Sequence, residues 1–316
     1  MPDGRVPFAL ATYESDDAGP RLGLVVDGGL ADLIEAIGMS AGAATARSVP
    51  TDMRSLIEGW SDVEADVAMA ATTLRGRGAV RPLASVRLRA PIRDPWNLMA
   101  IAANYRAHAD EMGHGSDVDP DAEEPVFFAK SPRNCIADPG QPFAIPPGRN
   151  IDWEGELALV IGRDAKDVSL ESAPDHIFGY TVAFDVSDRG GAGRPTNALF
   201  PGPYWFRGKS RDGAAPLGPV IVPKAFVLDP GALRIVTRVN GEIRQDGTTA
   251  RLIYDEAHIV RSLSAVMTMR AGDVVLTGTP DGVGVARTPP VFLAPGDLVS
   301  ITIDGIGTLE TPMVSG

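Results

Sequence analysis

A single cysteine, Cys135, stands among 316 residues, so no internal disulfide can form and a reducing, cytoplasmic setting is expected. Histidine is scarce too. There are four, none in a His-Glu-x-x-His arrangement, which argues against a zinc site. No stretch approaches the roughly 20 apolar residues that a membrane-spanning helix needs. The opening residues lack a positive segment followed by an apolar run, so no secretory signal is expected. Positive charge is in deficit, with 29 Lys and Arg against 41 Asp and Glu, a net charge of −12. Such a chain repels nucleic acid and anionic membrane, and neither is expected as a partner. A small anionic substrate would then have to be drawn in by a local cation, either a metal or a positive pocket. Two cofactor signatures are also missing. Gly282-Val-Gly284 does not extend to a dinucleotide fingerprint, and Gly208-Lys-Ser210 lacks the spaced glycine of a phosphate-binding loop.

What is present suits a globular protein with a real core: 44% hydrophobic and 22% charged residues. Thirty-five glycines and 27 prolines imply many turns, hence short strands more than long helices. Residues 1–90 read as a small α+β module, with strands over 8–13 and 21–26 and helical stretches over 30–37, 52–60 and 63–76. A loose loop is expected over 40–48. A boundary falls near the prolines at 82–95. Residues 91–316 then read as a second, mostly β domain with strands over 98–102, 126–129, 154–161, 177–185, 220–222, 234–239, 273–277 and 298–303. Helices are expected over 105–112 and 254–269. Asn240-Gly241 and Asp304-Gly305, each flanked by alternating apolar residues, predict hairpin turns. The acidic run 117–124 has no apolar anchor and predicts a loop. No internal repeat is visible.

The run Ile151-Asp-Trp-Glu-Gly-Glu-Leu-Ala-Leu-Val-Ile-Gly162 carries the most chemical information. Side chains alternate along a strand, so Glu154 and Glu156 share a face with Ala158 and Val160, while Trp153, Leu157, Leu159 and Ile161 take the other. Beyond the acids both faces are apolar. Two unpaired carboxylates there would repel each other and lose hydration, and a divalent cation between them removes both problems. Asp185, closing the strand over 177–185, could be a third oxygen ligand, and three carboxylates suit Mg²⁺ or Mn²⁺. Spacing alone leaves open a plainer alternative, in which the glutamates pair with arginines and Asp185 caps a strand.

Asn104-Tyr-Arg-Ala-His-Ala-Asp-Glu-Met-Gly113 predicts a short helix, with Asn104 as its cap and Gly113 ending it in the left-handed conformation. His108 and Glu111 lie three apart and share a face, as a general base and its orienting acid require. The alternative is an exposed helix pair worth only a few tenths of a kcal/mol. Arg207-Gly-Lys-Ser-Arg-Asp-Gly213 places Lys209 in a basic loop that could approach a metal or an enolate, or simply face solvent. Val274-Val-Leu-Thr-Gly-Thr-Pro-Asp-Gly-Val-Gly284 runs from a strand into a glycine-rich turn. Its N–H groups, at Gly278 among others, and the Thr279 hydroxyl could hold a carboxylate or oxyanion, or form an ordinary turn. His114, His176 and His258 have no obvious partners, and nothing local makes Cys135 a nucleophile.

The order of these pieces resembles the fumarylacetoacetate hydrolase family over about residues 95–313. The motifs are Asn-Tyr-x-x-His-x-x-Glu-Met, then Lys130-Ser-Pro, Glu-x-Glu on a strand, Phe-Asp at a strand end, Gly-Lys-Ser, and Leu-Thr-Gly-Thr-Pro-x-Gly-Val-Gly. The resemblance implies a catalytic domain of mixed strands rolled into a distorted β-barrel, a divalent cation (Mg²⁺ or Mn²⁺) and a homodimer. It assigns Glu154, Glu156 and Asp185 as metal ligands and His108 with Glu111 as the activating dyad. It places Lys209 near metal and substrate, and Arg189, Thr279, Gly278 and Tyr105 as substrate contacts. Several members keep a glutamine about seven residues past the metal aspartate, and Ala192 stands there in this chain.

The expected reaction is metal-dependent hydrolysis of a carbon–carbon bond in a β-diketo acid of the acylpyruvate type. The alternative at the same site is isomerisation or decarboxylation of a 2-oxo or 2-hydroxydienoate acid, or of oxaloacetate. A reading of another class is a non-catalytic binder of metal and small acids. A small dicarboxylate or 2-oxo acid is the expected ligand in every case.

Overall fold

The computed structural model describes residues 5–15, 19–77, 80–115, 117–191 and 204–316. It is a mixed α/β structure with many strands. A 12-stranded sheet runs from the first residues deep into the second half of the chain. Its amino-terminal strands Gly29–Asp32, Gly19–Val26 and Ala9–Ser15 pair antiparallel in succession. Ala9–Ser15 then joins Ala215–Pro223 through Leu10 opposite Ile221. From there the order continues through Ile177–Phe184, Gly155–Ile161, Val274–Leu276 and Leu98–Ile101 to Phe127–Lys130. No pairing among the described residues joins the two ends, so the strands are not shown as a closed barrel. A five-stranded sheet contains both predicted hairpins. Asn240 and Gly241 both take positive φ at the first turn, as a two-residue hairpin demands. No described helix is long and apolar enough to cross a membrane.

The strand Gly155–Ile161 is buried along its whole length. Its alternation is the one expected. Trp153, Leu157, Leu159 and Ile161 pack into one apolar cluster, while Ala158 and Val160 pack into the other. The glycine between the glutamates has a steric cause. A Cβ at Gly155 would lie 2.1 Å from the Thr237 hydroxyl and 3.1 Å from Ile301, both on the five-stranded sheet. The second sheet therefore crosses the first at the one position without a side chain.

Several local expectations change. Residues 30–32 belong to the strand Gly29–Asp32, and the helix Leu33–Ala41 starts only after Asp32, whose carboxylate accepts the Glu35 N–H. Strand pairing to Leu24 and Val25 overrides the apolar spacing that suggested a helix from residue 30. The expected loop over 40–48 contains a further turn of helix, Ala43–Ala46. The strand expected over 220–222 extends over Ala215–Pro223, because Pro216, Gly218 and Pro219 disguise a fully buried segment.

Gly155→Ala should destabilise the protein by about 1–3 kcal/mol through overpacking. Combining it with Thr237→Ala should restore part of that loss, because the two positions meet. Denaturant titration of the two single variants and the double variant measures the coupling, and strict additivity would refute the contact.

Candidate metal centre and base

Strand register gathers the acids. Gly155 faces Phe184 in an antiparallel ladder, and the Asp185 N–H donates to the Glu154 carbonyl at 2.9 Å, so the strand carrying the glutamates delivers Asp185 beside them. On the other side Ala158 faces Leu276, which brings Gly278 level with Glu156. The Gly278 N–H donates to Glu156 Oε2 at 2.6 Å. The result is a cluster of Glu154, Glu156 and Asp185 with ligand atoms within 4.8 Å of one another. Exposure is 5% for Glu154 and 1% for each of the other two, so water cannot screen their repulsion.

Three cations answer part of that charge. Lys209 Nζ donates to Glu154 Oε2 at 2.5 Å, Asp185 Oδ2 at 2.7 Å and the Ser187 hydroxyl at 2.6 Å. Lys130 Nζ donates to Asp185 Oδ1 at 2.6 Å. Arg189 donates through Nη2 to Glu154 Oε1 and through Nε to Asp152 Oδ2 at 2.9 Å. Burial alone would raise the pKa of Glu154, but Lys209, Arg189 and then His108 outweigh it and hold the carboxyl well below its usual range. Glu156 goes the other way. Burial, then the charges of Asp185 and Glu154, push it well above the usual range, and Lys209 and the Gly278 N–H offset this only in part. Burial also opposes the Lys209 charge, yet Asp185 and Glu154 raise its pKa.

The donor set fits a hard divalent cation: three carboxylates, no sulfur, and one member, Glu156, with no cationic hydrogen-bond partner among the described residues. The plainer alternative is also partly realised, since Glu154 does pair with an arginine.

His108 and Glu111 pair as the helical spacing predicts. His108 Nδ1 and Glu111 Oε1 lie 2.7 Å apart on the helix Arg106–Glu111, with His108 buried and close enough to act on Glu154 electrostatically. Gly113 takes φ +75° at the helix end. Asn104 does not cap this helix. The cap position is Tyr105, without a side-chain cap bond, and the Asn104 side chain bonds elsewhere. The Tyr105 hydroxyl is buried without a hydrogen-bond partner among the described residues, and burial followed by the Glu156 charge raises its pKa. His258 does have partners, Asp255 at 2.7 Å and Asp121 at 3.4 Å.

The glycine-rich turn serves the protein's own acids. Besides Gly278 to Glu156, the Gly282 N–H donates to Glu111 Oε2 at 2.9 Å. The N–H groups of Gly284 and Val285 donate to Asp152 at 2.7 and 3.1 Å. The Thr279 hydroxyl donates to the Gly155 carbonyl and accepts from Gln245, so it is occupied. Lys209 likewise has all three N–H groups engaged, which leaves none for an enolate. Among the described residues, two of the five Arg189 N–H groups are engaged, by the bonds above.

Sequence reasoning missed Asp152, whose alternation with Glu154 along the strand was a usable signal, and Gln245, for which there was none. It quoted Lys130 only within a motif. Cys135 is buried with its thiol 3.8 Å from the Lys209 carbonyl, and burial raises its pKa, so nothing activates it as a nucleophile. Ala192 lies outside the described residues.

Residues 97–314 match the family described as Fumarylacetoacetate (FAA) hydrolase C-terminal. The chain is 42% identical over 233 residues to the oxaloacetate tautomerase YisK of Bacillus subtilis, covering 72% of this chain and 73% of that one. It is 37% identical over 303 residues to the mitochondrial oxaloacetate tautomerase fahd2 of Xenopus laevis, covering 95% and 88%. Among solved structures it resembles the maleylpyruvate hydrolase of Sphingobium sp. SYK-6 in complex with manganese(II) ion and pyruvate. That likeness has a TM-score of 0.72 and 30% identity, and covers 98% of this chain and 99% of that one.

Glu156→Gln should weaken Mn²⁺ binding by at least about 100-fold in calorimetry. In chelator-treated protein it should raise the unfolding midpoint. A carboxyl whose pKa is raised on folding costs stability as pH climbs above its ordinary value of 4.5, so the benefit of glutamine should grow from pH 5 to pH 8. A benefit that shrinks with pH would refute this account of Glu156.

Proposed function

Because the chain belongs to the fumarylacetoacetate hydrolase family, we propose that it moves a proton on a chelating 2-oxo dicarboxylate, interconverting the enol and keto forms of oxaloacetate. The observation that carries this reading is the His108–Glu111 pair set beside a buried cluster of three carboxylates. Curated relatives spanning most of the chain bear the name oxaloacetate tautomerase, which favours isomerisation over the hydrolysis first expected.

Glu154, Glu156 and Asp185 would hold Mg²⁺ or Mn²⁺, which when bound supplies Lewis acidity toward the oxygens of a 2-oxo acid. Glu111 is itself fixed by the Gly282 N–H and holds His108 through Nδ1, leaving Nε2 as the proton-transfer atom. Nε2 takes a proton from C3 of the ketone. The C–H electron pair becomes the C2–C3 double bond, and the carbonyl pair moves onto the C2 oxygen. The proton gained by Nε2 passes to that oxygen to give the enol, which regenerates the neutral imidazole, and the reverse sequence gives the ketone. No water is consumed. Arg189, with its side chain 18% exposed, binds a substrate carboxylate. Tyr105 supplies a donor on the Glu156 side. Lys209 and Lys130 hold Glu154 and Asp185 in place.

Hydrolysis of an acylpyruvate is the second reading, favoured by the likeness to a maleylpyruvate hydrolase. In it the same imidazole would activate water.

With Mn²⁺ present, the protein should speed the loss of enol absorbance from fresh oxaloacetate. His108→Ala should reduce kcat by about 10²–10⁴-fold while leaving Mn²⁺ binding unchanged. Mass analysis separates the readings. Tautomerisation leaves mass unchanged, whereas two acid products from an acylpyruvate, with no effect on oxaloacetate, would replace this proposal by the second.

A further inference from the structure

Asn104 is fully buried, and its side chain is saturated by two other segments of the chain. Nδ2 donates to the carbonyls of Tyr254 and Thr277, each at 2.9 Å, and Oδ1 accepts the Tyr254 N–H at 2.8 Å. Its own carbonyl accepts the Ile253 N–H at 2.8 Å. The backbone on both sides is bent to allow this. Ala103 takes φ +51°, a conformation non-glycine residues rarely adopt and one that clusters at functional sites. Across the contact Gly278 takes φ +93°, and a Cβ there would lie 2.8 Å from that of Asn104. The close approach therefore requires a glycine in the turn.

These contacts place Asn104 between the two halves of the site. Four residues later in the chain comes His108. Thr277, to which Asn104 donates, is followed by Gly278, whose N–H holds Glu156. The helix Arg106–Glu111 is thus tied to the glycine-rich turn at both ends, by Asn104 before it and by Glu111 on Gly282 at its close. The two halves differ in what else supports them. Glu156 is carried by a strand with ladder bonds on both sides, and Thr277 is held to the Leu157 carbonyl by both its N–H and its hydroxyl. The six-residue helix has no ladder. An isolated bridge joins Tyr105, just before it, to Leu252, and Arg106 and Asp110 within it take part in further interactions.

We propose that Asn104 is the positioning residue for the base, setting where His108 stands relative to the carboxylate cluster without itself supporting cation binding. The proposal rests on the proton-transfer reading above. Loss of its donors lets the helix shift, which misplaces the imidazole, while the strand-borne acids stay where their ladders hold them. An ångström of misplacement is enough to lower turnover substantially.

The test uses full-length Asn104→Asp, which keeps the shape and one acceptor but removes both donors, and Asn104→Ala, in case the buried charge prevents folding. Turnover of oxaloacetate, Mn²⁺ binding by calorimetry and amide hydrogen exchange are compared with the unaltered protein. The expected result is a kcat lowered about 30–100-fold, with KM and the Mn²⁺ dissociation constant within about threefold. Exchange should rise across 106–111 and not across Val274–Leu276. Unchanged kcat, or Mn²⁺ affinity falling in step with kcat, overturns the proposal. Should the unaltered protein not act on oxaloacetate at all, the proton-transfer reading falls. The exchange pattern and Mn²⁺ affinity then decide Asn104 alone, with unchanged protection of 106–111 or weakened Mn²⁺ binding counting against it.

Discussion

Four carboxylates held away from water within one small volume are the constraint around which this molecule is built. Asp152, Glu154, Glu156 and Asp185 are each at most 5% exposed, and their mutual repulsion is unscreened. Nothing apolar could relieve it, so the neighbouring elements are selected for donors. Lys209 and Lys130 converge on Asp185 from different segments, and Arg189 bridges Asp152 and Glu154. Asp188, on the opposite face of the strand carrying Arg189, is gripped by Arg149 and Arg211. Because Arg211 lies two residues past Lys209, that grip also fixes the segment that delivers the ammonium.

The glycine-rich turn meets the same constraint with backbone. Between Gly278 and Val285 its N–H groups reach Glu156, Glu111 and Asp152, one acid from the metal cluster, one from the base dyad and one from the arginine bridge. A side chain at Gly282 would strike the Arg244 carbonyl at 2.3 Å, and one at Gly284 the Val291 carbonyl at 2.0 Å and Asp152 at 2.6 Å. Glycine is needed here so that the backbone can approach the acids, which couples three parts of the site through one rigid loop. A turn that looks from sequence like a ligand-binding loop holds, in the fold, the chain's own acids.

That difference marks what could be read in advance. Strand alternation placed Glu154 and Glu156 on one face, and helical spacing paired His108 with Glu111, because both rest on local periodicity. The ordered motifs pointed to the family over about residues 95–313, and the family match covers 97–314. The partners of each donor were not legible, since Lys209, Arg189, Thr279 and Gly278 find their acceptors 22 to 124 residues away. Asn104 shows the same limit. A polar residue before a helix predicts a cap, but register with Thr277, 173 residues on, drew its side chain elsewhere. At Ala215–Pro223 prolines and glycine concealed a strand whose neighbours on both sides tolerate them.

Charge accounting links the interior to the substrate. Among the described residues, Lys130, Lys209 and Arg189 pair with Asp152, Glu154 and Asp185, which leaves Glu156 as the acid lacking a cationic partner. A divalent cation beside Glu156 would make that interior more positive, in a chain whose net charge is −12. An anion repelled by the surface at large would be drawn to these buried groups more strongly with the cation in place. The ion that would satisfy Glu156 would thus also favour a small anion, so the buried acid that is costly on its own gains a partner whose charge reaches beyond it.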